Sequence, residues 1–287
     1  MEVLKLRRKG RTYLGFVTLL VLLVVIAVAL KRSPLAGELR ESLTRHFIVL
    51  GTPLNGPFYA VLVMRTVLRL VPFFVALVCG EIVAGEAAEG TLRAVLARPL
   101  SRTRLLTAKF LVGLGYTAVL VAFLAVTSLG LGWAFLGRGR LLLTGPLLMG
   151  SDHPMVWLLS EGEALVRLSL AYLLVMWGTF VIAALAFLFS TLTENTLGPA
   201  IGALAIAIGF WTLETIGSTL ELMGTPSPAL EQLRPYLFTT YTDVWEEMFS
   251  EPIPWAKVVK SAAICGAHTL GFFGLAWLIF QRKDVTC

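Results

Sequence analysis

The sequence predicts an all-α, polytopic membrane protein with six transmembrane helices and a short amphipathic helix between spans two and three. Three observations carry that expectation. Apolar residues make up 57% of the 287 positions and charged residues only 15%, with a mean hydropathy of +0.81, whereas a soluble domain keeps about 25% charged to wet its surface. Six runs reach the ~20 apolar residues that a helix needs to cross the hydrocarbon core. No run alternates polar and apolar residues as a barrel strand does, and backbone groups in lipid must pair within their own segment, so each run is helical.

The first span is expected over about 13–30, after the basic stretch Lys5-Leu6-Arg7-Arg8-Lys9-Gly10-Arg11. Such a start resembles a secretory leader, but Lys31-Arg32-Ser33-Pro34 stands where small cleavage-site residues belong, so an uncleaved anchor helix is expected. The other spans are expected over about 61–83, 110–136, 165–189, 197–216 and 255–280, all within one membrane domain over 1–287. Loops over about 31–60, 137–164 and 217–254 separate them on one side. The last of these carries Glu221, Glu231, Asp243, Glu246, Glu247 and Glu251 between aromatics, and five prolines break it into short pieces. It reads as an outer cap of amphipathic segments and as a surface for an outer partner protein.

Orientation follows from lysine and arginine bias. With the N-terminus in the cytoplasm, the cytoplasmic pieces hold 12 basic residues in 52 positions and the outer pieces 7 in 96. Both termini are then cytoplasmic, in a plasma membrane. The net charge of +6 therefore serves topology, and no nucleic-acid partner is expected. Cys79, Cys265 and Cys287 form no C-x-x-C pair and read as small hydrophobes rather than a redox or zinc site.

The most structured polar stretch is GEIVAGEAAEGTLRAVLARPLSRTRLLTAK, from Gly80 to Lys109. Gly90-Thr91 reads as a helix start with Thr91 as its cap. Leu92, Val95 and Leu96 then share one helical face, and Pro99 ends the segment. Ser101 is placed to cap a helix running through Lys109 into the third span. The expected outcome is a short amphipathic helix across the inner mouth, tied to two spans. The plainer alternative is a solvated basic connector that only fixes topology.

The order Glu86, Glu89-Gly90-Thr91-Leu92, Leu96, Pro99, Ser101-Arg102, Lys109 resembles the loop after the second span in type-2 ABC transporter permeases, the six-span group with separate ATPase subunits. Phe189-Ser190 through Asn195-Thr196 is similar to that family's second cytoplasmic turn, and Phe280-Gln281-Arg282-Lys283-Asp284 to its usual ending. One departure is Ala87, where the family often has arginine, which predicts weaker ion pairing at that turn. The resemblance implies an ATP-driven permease, mostly of the exporting kind, whose short loop helix sits in a groove of a nucleotide-binding subunit. The chain holds no G-x-x-x-x-G-K-[ST] loop to cradle phosphates. The resemblance therefore implies no cofactor on this chain, with ATP and Mg²⁺ bound by two copies of a partner ATPase. It also implies a second permease half, identical or paralogous. A force-transmitting complex without cargo and an ATP-independent carrier are the alternatives.

Charges near the outer boundary are the second group of candidates. Arg65 and Arg69 share one face of the second span and are read as substrate or lipid contacts, or as snorkelling groups paired with outer acids such as Glu161 and Glu163. Glu81 is expected to orient the loop. Met149, Asp152, His153 and Met155 cluster in the second outer loop, but no metal site is assigned to them. An intramembrane enzyme is disfavoured, since no G-x-S-x-G elbow or paired intramembrane aspartate occurs. A carrier that buries several charges at mid-membrane is disfavoured by the nearly charge-free span centres. Leu141, in the second outer loop, is expected to be indifferent to coupling.

Overall fold

The computed structural model describes residues 10–32, 54–91, 101–144, 156–225 and 227–282. Six helical stretches among them are long and apolar enough to cross a membrane. They are α1 (Gly10–Arg32), α2 and α3 together (Gly56–Val67 and Val71–Ala88), α4 (Arg102–Leu136), α5 (Glu161–Leu192), α6 (Gly198–Leu222) and, after two short helices, α9 (Trp255–Arg282). The short ones are α7 (Pro228–Leu233) and α8 (Thr239–Thr242).

The second span differs from the expected uninterrupted helix. Its residues 68–70 tighten into a 3-10 turn between α2 and α3. The cause is Pro72, at the first turn of α3, which lacks an N–H and whose ring crowds the carbonyl four residues back. The span also begins five residues early. Asn55 caps it, its Oδ1 accepting from the Phe58 amide at 3.1 Å while its Nδ2 donates to the Arg140 carbonyl at 2.7 Å. The second outer loop is not wholly irregular: Leu141–Thr144 (β1) and Val156–Leu159 (β2) pair antiparallel. Leu141 is fully buried there, so it is a packing position, whose substitution would disturb the fold.

α5 is the central helix. Two thirds of its most apolar window is buried, against 17% for α6, and every residue from Val181 to Leu188 is buried. It packs against α3, α4, α6 and α9. α1 shows the one-sided pattern of a peripheral helix, with Leu19, Leu23 and Ala27 inside and Val17, Val21 and Val25 outside. Such exposed aliphatic stripes suit hydrocarbon. The last interhelical segment is broken into short helices as its prolines predicted, and it buries Trp245, Met248 and Phe249. Arg167 of α5 fixes it by donating to the Met248 and Ser250 carbonyls at 3.3 and 3.1 Å and to Glu251 at 2.5 Å.

Candidate functional site

Among the described residues, the neighbouring ends of α3, α4, α5 and α9 carry a heavily tied polar cluster. Their apolar floor is a separate group of Val83, Leu105, Leu106, Phe110, Phe187 and Phe280. Phe110 stacks on Phe273 at 4.5 Å between ring centres.

Above that floor, the Lys109 amine lies 2.8 Å from Glu86 Oε2, with side chains only 1% and 10% exposed. The same amine donates to the Ile82 carbonyl at 3.4 Å. An ion pair this dry is held by its mutual attraction, and removing either charge takes from the other a counter-charge at 2.8 Å. The weaker pairing predicted from Ala87 is therefore corrected: Glu86 finds its cation on α4, across the connection, rather than at the neighbouring position. Ser190 of α5 adds a third helix, its hydroxyl accepting from the Val83 and Ala84 amides at 3.0 and 2.9 Å.

The connection leaves this cluster from two well-defined ends. Glu89 caps α3 and donates its amide to the Gly85 carbonyl at 3.0 Å. Gly90 has φ +68°, the left-handed turn that glycine adopts after a helix. Thr91 donates its hydroxyl back to the Glu86 carbonyl at 3.3 Å. Gly90 thus ends α3, and Thr91 is itself helical, where the sequence places a helix start, although its hydroxyl turns back to α3 rather than capping forward. Ser101 caps α4 as expected, accepting from the Arg104 amide at 3.3 Å. Arg102 reaches the last turn of α9 and donates to the Phe280 and Gln281 carbonyls at 3.4 and 3.2 Å, complementing the negative end of that helix. Thr103 Oγ1 accepts from Trp277 Nε1 and Gln281 Nε2, both at 3.0 Å. Leu92, Val95, Leu96 and Pro99 lie outside the described residues, as do Met149, Asp152, His153 and Met155.

Lys109 and Ser190 carry the resemblance without an assigned role, and Thr103 is not singled out in the sequence at all. A lysine at the head of the apolar run of α4 was the available signal for the first. Glu81 pairs with Arg11 at 3.3 Å, which ties α1 to the same end.

Arg65 and Arg69 sit far from this cluster. Arg69 pairs with Asp243 at 2.8 Å and lies over the Trp211 ring at 5.0 Å. Arg65 stands 3.9 Å from Glu246. Their acids come from the 3-10 turn Asp243–Phe249 and not from Glu161 or Glu163. Those two face Arg138 and Arg167, at 3.9 and 3.4 Å. The Asp243 carboxyl is pushed up to about 6, chiefly by desolvation, with the Arg69 guanidinium opposing and Glu246 and Glu214 adding to the rise.

Comparison with known proteins agrees with the resemblance read from the loop. A family model described as "ABC-2 family transporter protein" matches residues 1–144, half of the chain. The uncharacterized protein YhcI of Bacillus subtilis (strain 168) is 24% identical over 221 residues, covering 75% of this chain and 65% of that protein. The matched stretch thus spans just under two thirds of that relative's length.

Proposed function

Because the chain belongs to the ABC-2 transporter family, we propose that it is the membrane-spanning permease subunit of an ATP-binding cassette exporter. The whole of 1–287 serves as one membrane domain. The end bearing the 89–101 connection faces the cytoplasm, as do both termini, and 217–254 faces outward toward any accessory protein. The threefold difference in basic-residue density supports this orientation. ATP and Mg²⁺ belong to a partner ATPase present in two copies, since these 287 residues hold no phosphate-cradling G-x-x-x-x-G-K-[ST] loop. A second permease half, identical or paralogous, completes the membrane pathway.

The observation that carries this reading is the dry Glu86–Lys109 pair at the root of the connection. A push on the Leu92, Val95 and Leu96 face reaches α3 through Glu89-Gly90-Thr91 and α4 through Ser101. The ion pair makes those two helix ends move together. Arg102 and Thr103 pass the movement to α9, and Ser190 passes it to α5. Arg65 and Arg69, at the other end, are assigned to lipid or substrate contact.

Purifying the tagged chain together with its ATPase tests the assembly. Two permease halves and two ATPase subunits are expected in one complex. A monomeric permease that sustains full transport alone would overturn the assignment.

A further inference from the structure

A cleft on the side of the bundle away from the 89–101 connection gives the lipid-or-substrate assignment of Arg65 and Arg69 a specific chemistry. It lies between the α2–α3 turn, α5, α6 and the 3-10 turn Asp243–Phe249, and Arg65, Arg69, Trp211, Asp243, Trp245 and Glu246 line it. About 60 Å³ of it is open to the centre of a water-sized sphere, several times the ~10–15 Å³ that one water requires. A small polar group fits there, and a whole amphiphile does not.

Three donors on this lining lack acceptors: Arg65 Nε, Trp211 Nε1 and Trp245 Nε1 are buried and form no hydrogen bond. Trp245 as a residue is only 3% exposed. A buried donor left unmatched costs free energy, and three on one cleft call for an oxygen-rich acceptor. The lining is charge-balanced, with two guanidiniums and two carboxylates. The carboxylate of Glu246 is held only loosely, 3.9 Å from Arg65. A bare anion would meet two carboxylates, and a bare cation two guanidiniums. A zwitterion satisfies both.

Depth selects its source. Arg65 lies about 30 Å along the α2–α3 axis from Glu86 at ~1.5 Å per residue, which matches the thickness of the hydrocarbon core. With Glu86 at one headgroup level, the cleft is at the other.

We propose that this cleft holds the headgroup of a zwitterionic phospholipid. The phosphate accepts from Arg65, Trp211 and Trp245, and the ammonium faces Glu246 and Asp243. The acyl chains lie outside, along the apolar surfaces of the spans. The proposal deepens the lipid-or-substrate assignment of Arg65 and Arg69, and its test does not depend on ATP coupling.

The test uses the full chain, purified in detergent, delipidated and titrated by native mass spectrometry. The probes are phosphatidylethanolamine, phosphatidylglycerol and free phosphoethanolamine. Phosphatidylethanolamine should bind saturably and at least fivefold tighter than phosphatidylglycerol. Arg65→Lys, which keeps the charge but deletes the Nε donor, and Trp245→Phe, which keeps a ring but deletes the N–H, should each weaken it roughly fivefold. Trp211→Phe gives an independent reading of the same donors should Trp245→Phe fold poorly. Glu246→Gln should weaken phosphatidylethanolamine and spare phosphatidylglycerol. Equal binding of the two lipids, or unchanged binding in the donor variants, overturns the proposal. Free phosphoethanolamine binding as tightly as the lipid overturns the lipid assignment.

Discussion

Lys109 and Glu86 form the most buried charged contact of the described residues, and it sets the clearest residue-level expectation. Lys109→Met should destabilise the purified protein by roughly 3 kcal/mol, because it removes the cation 2.8 Å from the buried Glu86 carboxylate. The double variant Glu86→Gln/Lys109→Met should be markedly less damaged than the sum of the single ones, as read by thermal unfolding in detergent. Strict additivity in that cycle would mean that the pair is not coupled. Asp243 gives a pH expectation. Its folded-state value, about 6, stands above the ordinary 3.8. Its contribution is therefore fully present below pH 3.8 and is lost as pH rises to about 6. The groups facing it are Arg69, Arg65, Glu246 and Glu214. Asp243→Asn should flatten the fall in stability between about pH 4 and 6 and should not lower the melting temperature at pH 7.5. A large loss at pH 7.5 would show that its pairing with Arg69 outweighs its desolvation.

At the scale of helices, close approach is built on small residues. A Cβ on Gly132 of α4 would stand 2.8 Å from the Gly56 carbonyl, against the start of α2, whereas one on Gly115 of the same helix meets nothing within 4 Å. Gly132→Ala should cost about 1–3 kcal/mol by prying α2 from α4. Gly115→Ala should be neutral or slightly stabilising, and chemical unfolding of the two variants side by side checks both. The helices themselves were legible in the sequence because twenty apolar residues in a row have few alternatives. Their ends were legible only where a cap was recognised. α4 begins at Arg102, well before its apolar run, and the Ser101 cap marked that start in the sequence. α2 begins at Gly56 because Asn55 caps it, which hydropathy does not see. The hairpin was missed because four-residue strands carry little pattern. In the candidate site, the described residues picked out between Glu86 and Arg102 lie at the joined ends of α3, α4 and α9. The partner of Glu86 stayed hidden, since Lys109 lies 23 positions along the chain and only the fold brings it back. Arg65 and Arg69 were recognised as boundary charges, but their acids were assigned to the wrong loop, a long-range pairing that local spacing does not encode.

For the whole molecule, the account makes two commitments, an orientation and a coupling surface. Single cysteines at Ser101 and Ser227 should label from opposite sides of the membrane with an impermeant reagent, Ser101 from the cytoplasm. Labelling from one side would contradict the six-span topology. The proposed coupling surface is formed by Leu92, Val95 and Leu96. Burying three aliphatic side chains of that size contributes on the order of 4–8 kcal/mol before entropic costs. Glu89→Ala and Gly90→Pro should weaken the same step, the second because proline cannot adopt the left-handed turn at Gly90. The most direct measurement is stimulation of the partner ATPase by reconstituted permease carrying Leu92→Asp. Tyr236→Asp, at a position 78% exposed and on the far side of the bundle, serves as the control. Leu92→Asp should insert and fold normally, yet bind the ATPase weakly and abolish its stimulation, while Tyr236→Asp behaves as wild type. Wild-type binding and stimulation with Leu92→Asp would contradict the account and leave the 89–101 connection as a topology element only.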